Sequence, residues 1–284
     1  MPKLSFKSAD KCQIPIAIVK GGKHNGDILY LDPRDMGQLK GDEKCIGESK
    51  VILDDGVFEP LPTCDPDKRD VFYIAGQSGS GKSYIAKTLA NYYNKLYPER
   101  EVYLCSSLDK DETLDALKFI KRIKPKSFID EFPDLDEFQN CCMIFDDIEG
   151  LDKPDLAVIQ KVIDLIASQG RHTNTTMLYL RHTLTDYKNT RLMLGEMTRC
   201  VVYPLTTSKK QLDNLVGNYV GADMDKVMKL RKSGTRWIVF GKGFPNWALT
   251  QKTCEILNCD SDSESESESD EEKTKKRKSV KIKK

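Results

Sequence analysis

The sequence predicts an α/β protein: a parallel sheet with helices on both faces, preceded by a small β-rich module and followed by a disordered tail. Three observations predict it. From Val71 onward, short apolar runs of strand length alternate with segments of helical period, the pattern of a parallel sheet with crossover helices. The octapeptide Gly76-Gln77-Ser78-Gly79-Ser80-Gly81-Lys82-Ser83 fits G-x-x-x-x-G-K-[ST] and lies between one such strand and one such helix. Beyond Asp260 the composition changes to alternating acids and serines up to Glu272, then to an almost wholly basic run from Lys273 to Lys284. Neither block can bury a core.

Taken in order, residues 1–65 form the β-rich module. Pro15–Val19 and Ile28–Leu31 read as strands around the turn-rich Gly21–Gly26, and Val51–Leu53 reads as a further strand before the turn Asp54-Asp55-Gly56. His24 in the first loop reads as an exposed turn residue. The proline-containing stretch from Glu59 to Asp70 links this module to the core. Residues 66–255 form that core. Val71–Ala75 is its first strand, and Ile85, Leu89, Tyr92 and Leu96 mark the helix that follows. Glu101–Cys105, Cys141–Phe145, Thr176–Leu180 and Cys200–Tyr203 are the later strands. Leu156, Ile159, Ile163 and Ile166 mark a helix, with Pro154 in its first turn where a missing N–H is harmless. Gln211–Lys232 reads as two helices separated near Gly217-Asn218. Trp237, Phe244, Pro245 and Trp247 belong to a final hairpin whose aromatics are expected in the core. Residues 256–284 are the tail. Its Lys275–Lys278 cluster reads either as a nuclear-import or nucleic-acid-binding element or as part of a solvated tail, and Ser261 and Ser263 as substrates for an acid-directed kinase.

Composition narrows the class. The chain has 284 residues and a net charge of +1. No apolar run approaches the roughly 20 residues of a membrane span, and Met1–Ser5 lacks the apolar core of a signal peptide. Nine cysteines without a C-x-x-C pair or a nearby histidine predict reduced thiols, and Cys105, Cys141, Cys142 and Cys200 fall in or beside apolar strands, as packing residues do. A zinc site is not expected.

The chemistry is concentrated at the ends of three strands. Gly76, Gln77, Ser78, Gly79, Ser80, Gly81, Lys82, Ser83 and Tyr84 are the candidate ATP-binding residues, because glycines let backbone N–H groups converge on phosphate oxygens at a helix N-terminus. Lys82 would reach the β- and γ-phosphates and the Ser83 hydroxyl would sit on Mg²⁺. The strand Cys141–Phe145 runs into Asp146-Asp147. Asp146 would hold Mg²⁺, and Asp147 would orient or deprotonate the attacking water, with Glu149 as its alternate. Thr176–Leu180 ends in Arg181-His182-Thr183, where a polar residue could sense the γ-phosphate. His182 is the first candidate and Thr183 the second. Arg171, Arg191 and Arg199 are candidates for an arginine finger supplied by a neighbouring subunit, and Arg191 is carried forward among the catalytic residues. Each of these arginines reads equally as an ordinary surface residue.

With these residues in view, the chain resembles the P-loop ATPases of large nucleocytoplasmic DNA viruses. That group includes the poxvirus-type genome-packaging ATPases and is related more distantly to the FtsK and HerA DNA pumps. The matching segments are Tyr73–Tyr84, Ile144–Ile148, Gly170–Asn174, His182–Arg191 and Thr235–Ile238, spread over about residues 65–250. The resemblance implies an additional-strand, RecA-like P-loop fold, ATP hydrolysis with Mg²⁺, assembly into a homo-oligomeric ring and pumping of double-stranded viral DNA into capsids. It also implies action inside the host cell, in the cytoplasm or nucleus, or in the virion. The second acid, Asp147, differs from the Glu of FtsK and HerA, and no separate nuclease or DNA-recognition domain is recognisable. Two other functions fit the same loop: a small-molecule kinase, for which no arginine-rich lid is evident, and a nucleotide-stabilised scaffold without turnover.

Overall fold

A computed structural model of the chain describes residues 2–8, 13–34 and 48–257. The acidic and basic tail blocks lie outside the described residues. The described chain builds two sheets. The larger has ten strands and contains the predicted parallel core. Its central strand is β6 (Val71–Ala75), with β10 (Thr176–Arg181) on one side and β11 (Arg199–Val202) on the other. Beyond β10 come β9 (Cys142–Asp146), β7 (Val102–Ser106) and β8 (Ile120–Ile123), all parallel. Beyond β11 the direction reverses through β12 (Ile238–Gly241), β13 (Trp247–Leu249) and β14 (Thr253–Ile256), with β4 (Lys50–Ile52) at the far edge. β10 thus stands between the glycine-loop strand β6 and the acid-bearing strand β9, the insertion that defines the additional-strand arrangement.

The sequence explains why β6, β9 and β10 are central. Every residue in each of them is buried, as continuous apolar runs require when both sheet faces are covered. One face packs against α3 (Lys153–Gln169), α4 (Tyr187–Glu196), α5 (Lys209–Leu215) and α6 (Met224–Lys232), through Ile159, Ile163, Met193, Leu215 and Val227. The other face packs against α1 (Lys82–Leu96), through Ile85, Ala86 and Leu89. The second sheet lies over that same face, in the order β1 (Lys3–Ser5), β3 (Ile28–Asp32), β2 (Ile14–Lys20), β5 (Val57–Pro60). Leu4, Ile16, Val19, Leu29 and Phe58 share one core with α1 and with Phe72 and Ile74 of β6. Each fully buried side chain of this size contributes about 1.5–3 kcal/mol.

Several expectations are corrected. The segment read as a linker begins as a strand, β5, because Pro60 at its end need not donate to the ladder. The break between α5 and α6 falls at Gly221, not Gly217-Asn218. Residues 216–220 continue as a π-helical turn, and Gly221 ends it at φ 67°. The final hairpin is the meander β12–β13–β14. Trp237 and Trp247 are in the core, but Phe244 is 72 % exposed because it lies in the loop between β12 and β13. Leu96, read as apolar-periodic, is 39 % exposed, and Tyr97 is buried instead.

Candidate functional site

All the parallel strands deliver their carboxyl ends to one edge, and the predicted site residues gather there. β6 ends at Ala75, and its ladder with β10 continues one step, Gly76 N–H donating to the Arg181 carbonyl at 3.0 Å. The chain then turns through the loop into α1. Gly79 and Gly81 have φ of 74° and 108°, which side-chain-bearing residues rarely adopt. Gly76 is required for a different reason: a Cβ there would meet Tyr203 Cδ2 at 2.4 Å and Ser80 Oγ at 2.7 Å. Gln77, Ser78 and Gly79 face outward, Ser83 is half-buried and Tyr84 is 59 % exposed.

Lys82 is 7 % exposed and folds back over the loop. Its ammonium donates to the Gly76 carbonyl at 2.9 Å and the Gln77 carbonyl at 3.3 Å, and reaches His182 Nδ1 at 3.4 Å. The other ring nitrogen of His182 lies 2.8 Å from Asp147 Oδ1. Lys82, His182 and Asp147 therefore form one polar chain across β6, β10 and the end of β9. With Lys82 donating to Nδ1, the consistent tautomer carries its proton on Nε2 and donates it to Asp147. Burial lowers the Lys82 ammonium from its ordinary value, and the charges of Asp146, Asp147 and Glu149 oppose that.

Asp146 is 2 % exposed, and its Oδ2 is buried with no hydrogen-bond partner among the described residues. Burial, with the charges of Asp147 and Asp111 adding and Lys82 opposing, pushes its carboxyl up to about 7. A dry, unpartnered carboxylate is costly to ionise, and a divalent cation would relieve that cost. The donor set of Asp146 and the Ser83 hydroxyl thus fits Mg²⁺ with oxygen ligands. Asp147 adopts left-handed backbone angles, φ 50° and ψ 25°, a conformation that costs a non-glycine residue energy and that is found at functional turns. The Ser107 hydroxyl donates to its carbonyl.

Arg181 and His182, adjacent at the end of β10, point to different partners. Arg181 Nε donates to Glu149 Oε1 at 2.8 Å, so Glu149 is held by an arginine, while His182 turns to the loop. Thr183 offers its carbonyl to the Tyr73 hydroxyl at 2.7 Å. The finger candidates are dispersed. Arg171 lies in the turn between α3 and β10, at the sheet edge opposite the loop. Arg191 is exposed on α4. Arg199 is 5 % exposed and pairs with Asp70 at 3.3 Å, with its guanidinium over the Phe72 and Trp247 rings, which removes it from the finger candidates.

Two residues that sequence reasoning did not single out as site residues also meet the loop. Tyr203, just after β11, covers Gly76, and Arg236, just before β12, donates from Nε to the Ser80 carbonyl at 3.2 Å. Arg236 falls in the segment Thr235–Ile238 that carries the family resemblance, but nothing in that segment alone placed it at the loop.

A glycine loop leading into a helix, an acid ending a second strand and, between them, an apolar strand that ends in polar residues define a P-loop NTPase fold. The chain belongs to the same family as uncharacterized protein V3 of Sputnik virophage, with 30 % identity over 248 residues that span 85 % of this chain and 95 % of that protein. No protein-family model matches it. Among solved structures it is similar to B204, the DNA-packaging ATPase of Sulfolobus turreted icosahedral virus, with 12 % identity, a TM-score of 0.45, and coverage of 64 % of this chain and 98 % of that one. It is also similar to the cytoplasmic domain of the type VII secretion ATPase EccC of Thermomonospora curvata, with 14 % identity, a TM-score of 0.45, and coverage of 90 % and 30 % respectively. A third is the TcpA conjugation coupling protein of pCW3, with 14 % identity, a TM-score of 0.42, and coverage of 86 % and 77 %. Among the described residues no helix is long and apolar enough to cross a membrane.

Proposed function

We propose that this protein hydrolyses ATP and uses the energy to move double-stranded DNA, as a ring-forming viral packaging motor. The observation that supports it best is the chain from Lys82 through His182 to Asp147, set beside the unpartnered Asp146. It joins a phosphate-binding cation, a strand-end sensor and a water-positioning acid in one hydrogen-bonded unit.

In this reading the loop N–H groups and Lys82 take the β- and γ-phosphoryl oxygens, Lys82 exchanging the Gly76 and Gln77 carbonyls for phosphate. Ser83 and Asp146 hold Mg²⁺, which supplies charge neutralisation at the phosphoryl oxygens when bound. Asp147 orients the attacking water and accepts its proton. His182 is freed from Lys82 when Lys82 turns to phosphate, and its contact with Asp147 then reports whether the γ-phosphate is present. Ring assembly would let a neighbour's Arg171 or Arg191 complete the site, Arg171 standing at the sheet edge opposite the loop of its own chain. DNA would be held by lysine- and arginine-bearing loops and released by salt. Capsid components are the natural further partners of such a motor.

The test is phosphate release by the purified full-length chain with and without double-stranded DNA. DNA-stimulated release that is lost in Lys82→Ala supports a translocating motor. Release that is indifferent to DNA at low salt removes DNA from the proposal. Transfer of phosphate to an added nucleoside would replace the motor by a kinase.

A further inference from the structure

We infer that Arg236 is a nucleotide-binding residue, supplied by the same chain, whose guanidinium takes phosphate oxygens at the nucleoside-side wall of the loop. The inference rests on the phosphate-loop reading above and assigns a residue that reading does not use.

The topology puts Arg236 there. Parallel strands bring their carboxyl ends to the ligand edge, whereas an antiparallel strand brings its beginning. β12 is antiparallel to β11, with Val202 opposite Ile238, and β11 is parallel to β6, with Val202 opposite Ala75. The residues just before β12 therefore stand beside the start of the glycine loop. Thr235 and Trp237 are buried on either side and anchor the backbone, and the Arg236 N–H faces Gln251 Oε1 at 3.4 Å. Only the Arg236 side chain is left outside.

Its guanidinium lies along the loop. Nε donates to the Ser80 carbonyl at 3.2 Å, and Nη2 is 3.2 Å from the position a Cβ would take on Gly81. Gly81 is the residue that opens α1, so the guanidinium flanks the row of N–H groups that would receive phosphate. Its terminal amino groups are a planar fork suited to bidentate phosphate recognition. Tyr203 lies on the same side, covering Gly76, and the Arg236 charge acts on its buried hydroxyl.

The sheet order also says which end of the nucleotide Arg236 meets. Asp146 lies two strands from β6 on the β9 side, and Arg236 enters from β12, two strands away on the other side. The γ-phosphate belongs with Asp146, Asp147 and His182. Arg236 therefore faces the α- and β-phosphates, which ADP and ATP share.

The experiment is titration of the full-length chain with ADP and with ATP in the presence of Mg²⁺, comparing the unaltered protein with Arg236→Gln, Arg236→Lys and Lys82→Ala. Arg236→Gln is expected to weaken both nucleotides by about tenfold or more, as loss of a charge-assisted contact does. Arg236→Lys should recover part of that loss. Unchanged affinity in Arg236→Gln, which keeps an N–H able to reach the Ser80 carbonyl, would reduce Arg236 to a backbone support and overturn the inference. Loss for ATP alone would also overturn it, by moving Arg236 to the γ-phosphate. If the unaltered chain bound neither nucleotide, or Lys82→Ala bound both as well as it does, the phosphate-loop reading itself would fall, and this inference with it.

Discussion

Asp146→Asn should stabilise the metal-free protein, and only at neutral and alkaline pH. The folded carboxyl titrates near 7, against 3.8 for the same group in the unfolded chain. An acid whose folded value is raised holds its proton more tightly in the folded state. Below pH 4 both states are protonated and the group costs nothing. As pH rises toward 7 the unfolded state loses its proton first, and the folded state is progressively penalised. The difference of about three units corresponds to roughly 4 kcal/mol at 1.4 kcal/mol per unit. An asparagine amide in the same dry position forfeits about 1 kcal/mol for its own unsatisfied polar atom. The net gain at pH 8 is about 3 kcal/mol, falling below about 1 kcal/mol at pH 5. In a chain of this size that is a rise in Tm of about 5–10 °C at pH 8. The assay is thermal unfolding in chelator from pH 5 to 8.5. Asp146→Asn no more stable than the unaltered protein at pH 8, or a gain that does not vary with pH, would refute the argument that Asp146 is an uncompensated buried charge awaiting a cation.

Three further outcomes follow from the same contacts. Gly76→Ala places a Cβ 2.4 Å from Tyr203 Cδ2 and should cost about 1–3 kcal/mol of stability, read as a lower urea midpoint, together with weaker ATP binding. Arg199→Leu removes the cation paired with buried Asp70, leaving it only the Thr63 N–H and the Thr198 hydroxyl, and should lower stability by about 3 kcal/mol, with ATP affinity unchanged, because the pair sits at the opposite end of β6 and β11 from the loop. His182→Ala should reduce kcat by about a hundredfold while the ATP dissociation constant moves within about threefold, since in the proposed mechanism it removes the group that would meet the γ-phosphate and leaves the loop intact.

The parts of this molecule that were legible in the sequence are those whose physical cause is local. β6, β9 and β10 are covered on both faces, so their residues form unbroken apolar runs. The loop was legible because its backbone needs glycine at fixed positions. The edge strand β8, Ile-Lys-Arg-Ile, was not: it pairs on one side only, its Lys121 faces water and its Arg122 turns to Asp115. α4 escaped for a different reason: its buried row Thr190, Met193, Leu194 and Met197 has helical spacing, but it begins on a polar threonine and an exposed Leu192 sits beside it, which blurs the apolar period. At the site, a strand-end rule favoured His182 over Arg181, and the structure turns His182 to Lys82 and Arg181 to Glu149. The proximity of Arg236 to Gly81 had no local sign, because it arises only from the antiparallel pairing of β12 on β11.

The most direct test of the central claim separates binding from turnover at this site. Single-turnover hydrolysis of ATP would be followed in the unaltered chain, Lys82→Ala and Asp147→Asn, alongside the affinity of each for a non-hydrolysable ATP analogue. The account predicts hydrolysis by the unaltered chain alone, with Asp147→Asn retaining the analogue and Lys82→Ala losing it. Hydrolysis by Asp147→Asn at the unaltered rate, or tight analogue binding by Lys82→Ala, would contradict it.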